Sequence, residues 1–159
     1  MKTNWVRIFA LAAMAAATSW AQQADTAPAS LQRAAAAPIV GVWDVAVTVV
    51  NCQTGAVIRN VHSVQMYQTD GTFSETTNSG LRGSSVGYWY RQEGQIFGAN
   101  YFFFRYNADG TFASFARAVN AITLSPDGSQ FNVTATIQDY DANNTLLSTG
   151  CVTQTAKRL

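Results

Sequence analysis

From Ile39 onward, apolar and polar residues alternate with a period of two, and Gly, Asp and Asn interrupt the alternation at short intervals. Trp43, Val45, Val47 and Val49 share one side of the first segment, opposite Asp44, Ala46 and Thr48. Phe131, Val133, Ala135 and Ile137 oppose Asn132, Thr134, Thr136 and Gln138 in the same way. Turn signals fall at Thr54-Gly55, Asp70-Gly71, Glu93-Gly94, Asp109-Gly110, Asp127-Gly128 and Asn143-Asn144, pairs that supply the positive φ tight hairpins need. The pattern predicts strands over 41–51, 58–68, 72–78, 85–92, 95–106, 111–124, 129–140 and 145–156, and no helical periodicity is sustained after residue 38.

Eight strands joined in order by short connections imply an all-β fold, an eight-stranded antiparallel up-and-down β-barrel that removes its edges by closing. A sandwich is the alternative, but its Greek-key crossovers call for longer connections. Tyr67-Gln-Thr-Asp-Gly-Thr-Phe73 recurs as Tyr106-Asn-Ala-Asp-Gly-Thr-Phe112. We read this as one hairpin solution used twice rather than as a duplication.

The segment before the strands has a different character. Lys2 and Arg7 precede an apolar run over Ile8–Ala17, and Ser19-Trp20-Ala21 forms a small-x-small cleavage site, so residues 1–21 read as a signal peptide. The run is about half of the roughly 20 residues a membrane helix needs, which argues against an anchor. Residues 22–38 read as an Ala-rich flexible leader ending at Pro38, and residues 39–159 as the single domain. A periplasmic or secreted protein is expected.

Charge excludes further classes. Ten Lys and Arg against nine Asp and Glu give a net charge of +1, and cleavage would remove two of the positive residues. No basic excess exists to bind nucleic acid by phosphate neutralisation. Two cysteines and one histidine do not make a four-ligand metal site, so no metal and no cofactor are expected.

In an oxidising compartment Cys52–Cys151 is the default disulfide. It would tie the first strand to the last and close a loop of about 100 residues, an entropic effect of at most roughly 4.7 kcal/mol. By parity both thiols lie on the outer wall. A pair of redox-active thiols is the alternative, against which stand the missing Cys-x-x-Cys spacing and flanking base.

Gly41-Val42-Trp43 at the head of an eight-strand meander resembles the lipocalin or calycin family, and within it the small secreted bacterial lipocalin-like barrels. The resemblance implies that Trp43 closes one end of the barrel beneath a basic residue from the last strand, Lys157 or Arg158. A second Gly-x-Trp, Gly87-Tyr88-Trp89, lies in the fourth strand. No counterpart of the family's C-terminal helix is expected, and the segment before Trp43 is Ala-rich. Bacterial allene-oxide-cyclase-like barrels are a second precedent, in which a similar wall performs isomerase chemistry. The resemblance implies a lumen rather than a reaction.

Val86–Tyr106 holds nine aromatic residues in 21. Trp89, Phe97, Tyr101 and Phe103 from this stretch, with Phe73 and Phe115 outside it, are the candidate lining of a lumen for a small hydrophobic or aromatic molecule. Simple core filling, or an outer patch for a homo-oligomer, would use the same residues. Glu75, His62 and Arg117 are the catalytic candidates, all expected to face inward. Arg105 and Asp139 share that expectation. An inward charge needs a partner, and Glu75 with Arg117 or Arg105 would supply one. Nucleophile-elbow, dinucleotide, phosphate-loop and zinc-helix motifs are absent. The primary expectation is a non-catalytic exported carrier. A cyclase or isomerase, and a fully packed structural barrel, are its rivals.

Overall fold

The computed structural model describes residues 37–159. The expected signal peptide, and the expected leader except for its last two residues, lie outside them. The described chain forms β1 (Gly41–Val50), β2 (Val57–Tyr67), β3 (Thr72–Thr77), β4 (Ser85–Glu93), β5 (Ile96–Tyr106), β6 (Phe112–Leu124), β7 (Gln130–Tyr140) and β8 (Leu146–Arg158). Each strand pairs antiparallel with the next, and β8 pairs back onto β1 to close the barrel. That last seam runs in continuous register from Trp43 opposite Arg158 to Val50 opposite Cys151.

The seam explains the disulfide. Cys151 lies on β8 beside Val50, and Cys52 lies in the turn just after β1, so their Cα atoms come within 5.1 Å and the two are joined. The pair stands at one end of the barrel, called here the mouth. The opposite end, the floor, holds Trp43, Tyr67, Phe73, Phe97 and Phe131, all essentially without solvent exposure.

Turn chemistry follows the residue pairs. Gly71 and Gly110 have φ of 87° and 82°. In each of these turns an aspartate, Asp70 or Asp109, accepts hydrogen bonds from the backbone N–H and hydroxyl of the threonine two residues on, Thr72 or Thr111. These bonds hold both carboxyls below the usual aspartate range. One hairpin lies at the floor and the other at the mouth, so the sequence repeat is a repeat of turn geometry.

The inward face departs from expectation in two strands. In β2 the buried residues are Ser63, Gln65 and Tyr67, while His62, Val64 and Met66 face out. In β6 they are Ser114, Ala116, Ala118, Asn120, Ile122 and Leu124, while Phe115, Arg117 and Val119 face out. The expected inward placement of His62, Phe115 and Arg117 is thereby corrected. The cause is register: β1 pairs Val45 with Ser63 and Trp43 with Gln65, which puts polar residues of β2 inside. On the outer wall Phe115 stacks on Tyr140 with centroids 5.4 Å apart, and Arg117 lies over both rings.

Candidate functional site

Three layers fill the barrel. The floor layer is aromatic: Tyr67 meets Phe73, Trp89 and Phe131 edge-on, and Trp43 packs against Phe131. Phe73 also packs on Tyr101, and Trp89 on Phe97. These rings pack on one another in the space they were expected to line.

Above them lies a polar layer. Gln65 donates through Nε2 to Glu75 at 3.1 Å and to Gln154 at 2.9 Å, and its Oε1 accepts the Tyr67 hydroxyl at 2.9 Å. The other carboxylate oxygen of Glu75 accepts Ser85 at 2.9 Å and the Arg82 guanidinium. Glu75 and Arg82 form an ion pair with side chains 1% and 10% exposed, so burial of the carboxylate is compensated by charge and by hydrogen bonds. Asn120 is 2% exposed. Burial raises the ionisation of Tyr101 above the usual tyrosine range, and nearby Glu75 adds to the rise against smaller opposing effects of Arg82, Gln154 and Asn120. Burial does the same to Tyr67, with Tyr101 and Glu75 contributing. Both phenols are neutral hydrogen-bonding groups at physiological pH.

The mouth layer contains the cavity. Its volume is about 160 Å³, with apolar walls from Val47, Val49, Val61, Phe103, Ile137 and Val152. Arg59, Arg82, Arg105 and Asp139 supply the charges of its lining. Arg105 holds Asp139 through Nε at 2.5 Å and Nη2 at 3.3 Å, and Ser148 donates to the same carboxylate. The guanidinium carbons of Arg82 and Arg105 lie 3.7 and 5.0 Å from the Phe103 ring centroid.

Arg82 reaches this position through the connection between β3 and β4. The segment is pinned to the end of β5: Gly83 N–H donates to Phe104 at 2.9 Å, Tyr106 N–H donates to Leu81 at 3.0 Å, and Arg82 bridges Arg105. A loop residue is thus delivered into the barrel as if it belonged to a strand. Sequence parity has no purchase on such a residue. The need for a partner to Glu75 pointed to an arginine, and the arginine is Arg82 rather than Arg105 or Arg117.

The sequence candidates are distributed as follows. Phe73, Phe97, Tyr101 and Phe103 are buried inside and Trp89 is half-buried, but of the six aromatic candidates Phe103 alone lines the cavity. Phe115 is on the outer wall. Glu75 is buried beneath the mouth, His62 is exposed on the outer wall 2.7 Å from Asp44, and exposed Arg117 donates to Asn144 at 2.9 Å. The three catalytic candidates do not converge on one point. Arg59 and Gln65 of β2 and Asn120 of β6 were not singled out by parity, because inward polar residues on these strands mimic a solvent face; Arg82 lies in a connection and Gln154 in β8.

The volume sets a scale. Sites for drug-sized ligands run to roughly 300–1,000 Å³, whereas an apolar cavity of about 150 Å³ accepts benzene. The mouth cavity is of the second kind.

A family model described as a domain of unknown function (DUF4859) matches residues 45–145, from within β1 to the turn before β8. No curated protein and no solved structure matches the chain.

Proposed function

We propose, from the premise that the chain belongs to the DUF4859 family, that it is an exported carrier of lipocalin-like design that holds one small apolar or aromatic molecule in the mouth of its barrel. The observation that carries this reading is the mouth cavity of about 160 Å³, walled by Val47, Val61, Phe103, Ile137 and Val152 and bounded by fixed arginines. A largely apolar wall with a few placed polar groups is the general composition of a ligand site. The Cys52–Cys151 disulfide supports export, since such bonds persist in oxidising compartments. Trp43 beneath Arg158 at the floor supports the lipocalin-like design.

Amide chemical-shift mapping with a panel of single-ring molecules tests the reading. Saturable shifts clustered at Val47, Val61, Phe103, Ile137 and Val152 are expected. Shifts confined to the outer wall would contradict it. They would favour a second reading, a surface for self-association, which the exposed Val86, Phe104 and Phe112 support.

A further inference from the structure

The mouth has a surplus of hydrogen-bond donors and no spare carboxylate oxygen. Glu75 accepts from Gln65 at one oxygen and from Arg82 and Ser85 at the other. Asp139 accepts from Arg105 Nε at one oxygen and from Arg105 Nη2 and Ser148 at the other. The Nε of Arg82 is buried with no acceptor, on a side chain only 10% exposed. Arg59 forms no ion pair among the described residues, yet its side chain lines the cavity. Three arginines therefore face two carboxylates, leaving one positive charge and one buried donor unanswered.

A buried N–H without an acceptor is costly, and a guanidinium beside a low-dielectric wall attracts a planar anion more strongly than it would in water. A second cation would find every carboxylate oxygen already engaged. A neutral ligand would leave the Arg59 charge as it is.

We propose that the cavity selects a small monocarboxylate with an apolar body, a single ring or a short branched chain, whose carboxylate is read by Arg59 and Arg82 while Val47, Val61, Ile137 and Val152 enclose the rest. The assignment rests on the carrier reading above and adds the charge of the cargo. Arg59 and Arg82 are ligand-recognising residues here, and no covalent step is implied. Cavity size limits the body to about six to eight carbon atoms, judged against the benzene-sized reference.

Titration calorimetry on the disulfide-bonded protein tests it, with benzoate, its neutral isostere benzamide, toluene, and the cation benzylammonium. Benzoate is expected to bind about tenfold more tightly than benzamide at low salt, and to weaken as salt is raised because part of the attraction is screened. Arg59 is exposed, so the Arg59→Gln variant should fold normally while its preference for benzoate over benzamide falls to about threefold or less. Equal binding of benzoate and benzamide, or tighter binding of benzylammonium, overturns the anion assignment and leaves the carrier reading standing. No binding of benzoate, benzamide or toluene overturns both.

Discussion

Arg158 lies over Trp43, its guanidinium carbon 4.2 Å from the ring centroid, and this contact seals the floor of the barrel. The same guanidinium donates to the carbonyls of Pro38, Val40 and Gly128, while the Trp43 indole donates to Ile39 at 2.9 Å. Gly41 makes the contact possible. Its φ is +142°, and a Cβ there would sit 2.5 Å from Arg158 Nη1. Gly41→Ala should therefore strain the backbone and push Arg158 off the ring, and Arg158→Ala should remove the ring contact and three hydrogen bonds. We expect each to cost about 2 kcal/mol in denaturant unfolding, with the double variant falling short of the sum because both act on one contact.

Reduction of Cys52–Cys151, or its replacement by serines, frees the mouth end of the β1–β8 seam. The bond encloses a sequence separation of 99 residues. Its loss should lower stability by about 3–5 kcal/mol. Hydrogen exchange should rise first at the mouth, at Val49 and Val50 and their partners Val152 and Cys151, with Trp43 and Ala156 following only on global unfolding.

The Glu75–Arg82 pair is buried and both partners are needed together. Arg82→Met leaves a carboxylate in the barrel without its cation and should cost about 3–5 kcal/mol. Adding Glu75→Gln should recover most of that loss. Thermal melts of the wild type, the two single variants and the double variant check this cycle. Additive losses would show that the two side chains act independently.

Tyr67 and Tyr101 predict an alkaline limit. Their ionisations are raised in the folded protein relative to the ordinary 10.0. Below pH 10 both states carry neutral phenols and the contribution is complete. Above it the unfolded chain loses protons that the folded chain retains, so stability falls as pH rises, by up to about 1.4 kcal/mol per pH unit for each tyrosine. Phenolate absorbance should show these two tyrosines titrating only with unfolding. The variant Tyr67→Phe should soften the alkaline slope.

The closed barrel and its disulfide were legible because β1 and β7 alternate cleanly and short turns allow only neighbouring strands to pair. The orientation of β2 and β6 was not. In β2 Val64 and Met66 cover the outside while Ser63 and Gln65 face in, and in β6 the large Phe115 and Val119 lie outside while the smaller Ala116 and Ala118 face in beside Asn120, so size and polarity both mislead a simple reading. In β2 the pairing with β1 sets the inward face, and its Gln65 joins a polar layer around Glu75 whose members come from β2, β3, β4 and β8 and meet only after closure. Arg82 was hidden for a related reason: it belongs to a connection whose position is set by pairing with β5. The aromatic richness of β4 and β5 was visible, but only packing shows that Tyr67, Phe73, Tyr101 and Trp89 spend their surface on one another.

An iodobenzene soak followed by anomalous diffraction tests the carrier site most directly, because the iodine reports its own position. An iodine peak is expected inside the mouth, bounded by Val47, Phe103, Ile137 and Val152. Iodine found only against the outer rings Phe102, Phe115 and Tyr140, with the mouth empty of it, would contradict the account.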